Sequence, residues 1–163
     1  MLRLLVVLAI VFTVAPTALA NLQDSQSVST RFGGLSVNED KILLFKGQPL
    51  VPTIEGNNSL YLGTVMRIGA TDVVVVTNNG GSGCPAVFYF VTVTQSGAKA
   101  TPAFGTCSDL AAVKRKGVSI SVTMPGFVGP SVESKSAQRR AAKERHVFIY
   151  RAGVVTENGK PVK

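Results

Sequence analysis

The chain has 163 residues, 17 Lys and Arg against 9 Asp and Glu, two cysteines, one histidine and no tryptophan. That length holds one ordinary domain with a core of its own and leaves little room for a second. Two cysteines and one histidine do not supply a four-ligand zinc site, and the cysteines lack the C-x-x-C spacing of a redox pair.

Residues 1–20 place Arg3 before an apolar run and finish in Ala18-Leu19-Ala20, the small-x-small pattern of a signal-peptidase site. The run Leu4 to Val14 spans about eleven residues, short of the roughly twenty needed to cross a bilayer. The sequence therefore predicts a cleaved signal peptide, export to the periplasm or the medium, and a mature chain without a transmembrane segment, starting near Asn21. Loss of Arg3 leaves a formal charge of about +7, which favours anionic partners. Nucleic acid is disfavoured, because the aromatics fall inside apolar runs and not among the Lys and Arg clusters.

Residues 21–31 are polar without a sustained period and read as a flexible N-terminal segment, with a single all-β domain over 32–163. From Phe32 onward, short runs rich in Val, Ile, Phe, Tyr and Thr alternate with glycine-bearing turns. Such spacing predicts an antiparallel sandwich or a partly closed barrel built from successive hairpins. The first hairpin is "KILLF-KGQ-PLVPTI", turning at Gly47. In "SLYLGTVMRI" the alternation puts Leu60, Leu62, Met66 and Ile68 on one face and Tyr61 and Arg67 on the other. Two runs, Val73 to Val76 and Val87 to Val91, are apolar on both faces and ask for strands in the middle of a layered structure.

Between these runs lies "TNNGGSGCP", residues 77–85, where Gly81, Gly83 and Ala86 fit the G-x-G-x-x-G/A spacing of a dinucleotide loop. That loop must open a helix whose N-terminus meets the pyrophosphate, and here a strand follows. No P-loop Lys is present, and Cys84 stands where a nucleophile elbow needs its second glycine. No cofactor is implied. In an oxidising compartment Cys84 and Cys107 form a disulfide, closing a loop of about 24 residues worth roughly 3 kcal/mol by chain entropy.

Further on, Pro102 marks an edge or bulge. "VSISVTM" predicts a strand with Val118, Ile120, Val122 and Met124 inward, preceded by a basic turn of Lys114, Arg115 and Lys116. Residues 131–145 alone have helical character, with Ser131 as the candidate N-cap. They predict at most one short surface helix, on which Lys135, Arg139 and Lys143 would form a stripe beside Arg140 and Arg145. The segments 38–51 and 142–156 share one plan, a charged cluster, apolar residues, an aromatic, a base and a turn glycine. A duplicated unit and two similar hairpins both give it.

The only histidine, His146, stands at a strand end near Glu144, and a general base oriented by a carboxylate is the catalytic alternative to a solvated strand end. Glu39 and Asp40 are adjacent, which in a strand sends them to opposite faces. The sequence thus reads as an exported binding protein, of inhibitor or immunity type, that meets a protein partner. Its first alternative is a basic envelope module for an anionic polymer or lipid surface, and its second a hydrolase assembled from carboxylates and His146. The candidate contacts are Lys114, Arg115, Lys116, Lys135, Arg139, Arg140, Lys143 and Arg145.

Overall fold

The computed structural model describes residues 26–129 and 134–163; the expected signal peptide and the candidate cap Ser131 lie outside the described residues. The N-terminal sheet runs in order through β1 (Ser27–Thr30), β2 (Gly33–Val37), β3 (Leu43–Phe45) and β4 (Gln48–Pro49). The central sheet contains β5 (Ser59–Leu62), β6 (Met66–Ile68), β7 (Thr71–Asn79), β8 (Ala86–Thr94), β9 (Gly97–Ala100) and β10 (Phe104–Cys107). Its order is β10-β8-β7-β5, with β6 also on β7 and β9 also on β8. The C-terminal sheet runs through β11 (Ala112–Lys116), β12 (Ser119–Met124), β13 (His146–Arg151), β14 (Val154–Glu157) and β15 (Lys160–Pro161), and α1 (Lys135–Ala141) precedes β13. Among the described residues every strand pairing is antiparallel, so they form an all-β fold with one short helix, and the strands curl in the manner of a half barrel.

The doubly apolar runs are the heart of the central sheet. Register pairs Val73 with Thr92 and Val75 with Phe90 on one face, and Val74 with Val91 and Asp72 with Val93 on the other. The first face, together with Phe104 of β10, packs against Ile120, Val122, Phe148, Tyr150 and Val155 of the C-terminal sheet. The second, together with Leu60 and Leu62 of β5, packs against Leu35 and Leu43 of the N-terminal sheet and against Leu50 and Ile54, which follow it in the chain. A strand covered on both faces has no polar side to present, which is why these runs do not alternate.

Four expectations change. Leu60 and Leu62 join the N-terminal core while Met66 and Ile68 pack on the C-terminal one, because residues 63–65 leave strand geometry and turn the chain over. The segment read as flexible holds β1, which pairs with β2 and packs Val28 against the core, so the fold starts before Phe32. Lys114, Arg115 and Lys116 lie in β11 and not in a turn, since the strand pairs along β12 and tucks Val113 against the core. Val118 is 55 % exposed: with Lys116 paired to Ser119, it and Gly117 form the turn.

The segments 38–51 and 142–156 share a turn conformation. Lys46-Gly47 and Ala152-Gly153 both take positive φ, 50° and 77° against 48° and 86°, and each closes a two-residue hairpin. Asn158-Gly159 does the same at 51° and 77° outside either segment. This is the turn whose twist matches the flanking strands, so hairpin geometry accounts for the shared turn residues.

Candidate functional site

The basic residues divide into two groups at opposite ends of the C-terminal sheet. β11 pairs Ala112 with Thr123 and Lys116 with Ser119, while Met124 pairs with His146 at the end where α1 leads in. Lys114, Arg115 and Lys116 thus run away from the helix end. Lys135, Arg139 and Arg140 are exposed on α1, capped by Ser134. The helix stops at Ala141, so Lys143 lies beyond it with Arg145 and does not continue the expected stripe. Arg139 and Arg140 fall in the last turn, where the helix dipole favours cations. Arg115 is tied by its Nε to the Gly117 carbonyl at 3.0 Å.

The outer face of this sheet is read directly from register. Lys114, Ser121, Ile149, Thr156 and Pro161 form one row across all five strands. At the sheet's end Lys116 pairs with Ser119 and Arg151 with Val154. Neither set contains a carboxylate, and Ile149 and Val154 are 42 % and 50 % exposed.

At that same end the central and C-terminal sheets part to leave a cleft of about 830 Å³. It is lined by Ile68 and Thr71, by Thr92 and Thr94, by Ser96 to Ala100, by Val118 and by Tyr150 to Val154. The apolar run of β8 gives way to Thr92 and Thr94, two residues apart and therefore on one face. The Thr92 hydroxyl meets the Tyr150 hydroxyl at 2.6 Å. Lys99 and Arg151 are the cations of the lining, and no Asp or Glu is part of it. Sequence reasoning missed this site, whose one local signal is the entry of hydroxyls into an otherwise doubly apolar strand.

A second, smaller cleft of about 570 Å³ lies over the glycine loop, between Asn58, Ser59, Asn79, Gly80, Gly81, Ser82, Pro85 and Asp109. The loop joins β7 to β8 and is pinned by the Cys84–Cys107 disulfide. Gly80 is required by packing, because a Cβ there would collide with the Cys84 carbonyl, whereas Gly81 and Gly83 face open space. Asn58 spends its amide on the Gly80 carbonyl at 2.6 Å.

His146 is held by two carboxylates, Nδ1 to Glu157 at 2.8 Å and Nε2 to Glu144 at 3.2 Å. The hydrogen bonds to Glu157 and then Glu144 raise its pKa above the ordinary value, since they favour the doubly protonated ring. Neither ring nitrogen is left to take a proton from a substrate, and neither of the two clefts includes His146. On the opposite side of the central sheet, Asp72 is fully buried. Burial pushes its carboxyl up, but the hydrogen bonds and charge of Arg31, with help from Arg67, outweigh this and hold it below the usual value. Among the described residues no group of three or more His, Cys, Asp or Glu is placed to hold a metal ion, and no helix is long and apolar enough to cross a membrane. No protein-family model, no curated protein and no solved structure matches this chain.

Proposed function

We propose that the protein is an exported binding protein that docks an acidic protein partner against the outer face and open end of its C-terminal sheet. The observation that carries this reading is the register row of Lys114, Ser121, Ile149, Thr156 and Pro161, with Lys116 and Arg151 beside it. Exposed aliphatic side chains among cations and hydroxyls, with no carboxylate between them, match an interface whose apolar centre is ringed by charge. The disulfide and the leader-like first twenty residues support export. The test is capture of a stoichiometric partner from envelope and culture fractions by the mature chain, in parallel with its Lys114→Glu/Lys116→Glu variant. Reversal of two interface charges should weaken association about tenfold or more, chiefly in the on-rate. A partner captured equally by both proteins would overturn the assignment of this face.

A second reading is favoured by the other end of the sheet, where Lys135, Arg139 and Arg140 are exposed on α1 and Lys143 and Arg145 follow. The nearby Glu144 is engaged by His146. Such a cluster suits an anionic polymer or lipid surface, and its binding would fade steeply as salt is raised.

A further inference from the structure

Over Gly97–Ala100 the central sheet ends in β9, which pairs with β8 alone. Thr94 pairs with Gly97 across the two-residue turn Gln95-Ser96, and Thr92 with Lys99. Flanking residues of such a turn exchange both main-chain bonds, and bonded pairs then alternate along an antiparallel ladder. The next bonded position follows in phase, with the Thr101 N–H donating to the Phe90 carbonyl at 2.9 Å. Gly97 and Lys99 therefore turn their main-chain groups toward β8, and Ala98 and Ala100 turn theirs outward. Among the described residues nothing receives them.

These outward groups border the 830 Å³ cleft. Five successive residues, Ser96 to Ala100, line it. One face of a strand would contribute only alternate residues, so it is the edge of β9 that borders the space. The Tyr150 to Val154 segment forms part of the remaining lining, and Lys99 and Arg151 belong to it without an ion pair among the described residues. Within the cleft, the Thr92 and Tyr150 hydroxyls share one hydrogen bond, which leaves one of their two O–H hydrogens unspent, with Tyr150 only 2 % exposed.

We propose that the free edge of β9 accepts an extended acidic segment of the partner protein as an added strand; this rests on the binding reading above and names how the ligand enters. The Ala98 and Ala100 N–H groups donate to the segment's carbonyls, and their carbonyls accept from its N–H groups. A carboxylate of the segment sits toward Lys99 and Arg151, and a neighbouring carbonyl or hydroxyl takes the hydrogen left over by Thr92 and Tyr150. The small side chains of Ala98 and Ala100 leave the backbone approachable. A lysine on an exposed edge deters neutral or basic strands, a second copy of this basic chain included, and leaves an acidic one the favoured occupant.

The test uses the isotopically labelled mature chain titrated with a terminally blocked peptide of alternating Glu and Val, and with its Lys-Val counterpart. Expected are shifts and slowed hydrogen exchange at the Ala98 and Ala100 amides with the acidic peptide alone. Ala100→Pro removes one outward donor at an edge position where proline is tolerated, and should weaken binding about tenfold or more. Lys99→Glu, at an exposed site, should weaken it about tenfold and needs no change of backbone. Protection at the β11 edge instead, equal binding of the basic peptide, dimerisation of the chain through β9, or no response at millimolar acidic peptide would each overturn the proposal. A partner captured through Lys114 and Lys116 while the peptide fails would sink strand addition and leave the binding role standing. Peptide binding at β9 with no partner captured would support strand addition and count against the docking face.

Discussion

The two faces of the central sheet are built by the same strands but filled differently. Toward the N-terminal sheet the buried hydrophobic residues are Leu, Ile and Val only. Toward the C-terminal sheet five aromatics take over, with ring centroids at 6.0 Å for Phe88–Phe104, 5.0 Å for Phe90–Phe104, 4.8 Å for Phe90–Tyr150 and 5.2 Å for Phe104–Phe148. Alternation of side chains along β8 sorts the two sets, since Phe88 and Phe90 fall on one face and Val91 and Val93 on the other. The aliphatic side is closed at its margin by an ion pair. The aromatic side ends in the Thr92 and Tyr150 hydroxyls and opens into a cleft where the aromatic packing runs out.

The largest expected effect separates these cores. Phe90 is fully buried and touches both Phe104 and Tyr150, so it joins the central sheet to the C-terminal one. Phe90→Ala should cost about 4 kcal/mol, from lost burial and the cavity left behind. Leu43→Ala, also fully buried but on the aliphatic side, should cost about 3 kcal/mol. Urea denaturation of both variants checks the order. The comparison has a sharper readout in the cleft: Phe90→Ala should disturb the Thr92 and Tyr150 resonances, and Leu43→Ala should leave them in place. If both variants disturb them equally, the cores are not independent.

The ion pair gives a smaller effect on the aliphatic side. Arg31 donates from Nε to Asp72 at 2.8 Å and from Nη2 to the Gly69 and Thr71 carbonyls at 3.1 and 2.9 Å. Its main-chain N–H also donates to Asp72, at 2.7 Å, and survives any substitution short of proline. Arg31→Ala therefore leaves a buried carboxylate with one partner and should cost about 2 kcal/mol, below the range for a wholly orphaned buried charge. Because the folded Asp72 pKa is depressed, its contribution is present above the ordinary carboxylate value of 3.8 and is lost as pH falls through that value toward the folded one. Acid titration of stability should thus be steeper in the wild type than in Arg31→Ala.

Much of this architecture is legible in the residues. Val73 to Val76 and Val87 to Val91 announce a strand pair covered on both faces, and Cys84 with Cys107 announces the staple beside it. β1 is not legible, because Ser27–Thr30 carries a single aliphatic residue and owes its place to β2 and to the Arg31–Asp72 pair some forty residues on. The facing of Met66 and Ile68 is hidden for another reason: residues 63–65 reset the phase without a proline or a charge to mark it. The basic residues were visible one by one, yet their division into two groups follows from the register of β11, which sequence does not print. The cleft is the least legible part. It is bounded by turns and edges that lie from Ile68 to Val154 in the chain, and only the threonines of β8 hint at it.

The smallest expected effect lies on the aromatic side and runs in the opposite pH direction. His146 joins the segment after α1, through Glu144, to β14, through Glu157, and its side chain is 32 % exposed. Its folded pKa is raised, so the imidazolium and its two carboxylates stabilise the fold fully below the ordinary histidine value of 6.5 and lose that contribution as pH rises through the raised folded value. Solvent screening keeps the gain under about 1 kcal/mol. Melting temperature should therefore fall slightly between mildly acidic and mildly alkaline pH in the wild type and stay flat over the same window in His146→Gln. The two margins of the molecule then weaken at opposite ends of the pH scale, the Arg31 margin in acid and the His146 margin in base. A wild-type melting temperature that rises through neutral pH would mean that Glu144 and Glu157 do not hold the protonated ring, and that the end of α1 is fixed to the sheet by packing alone.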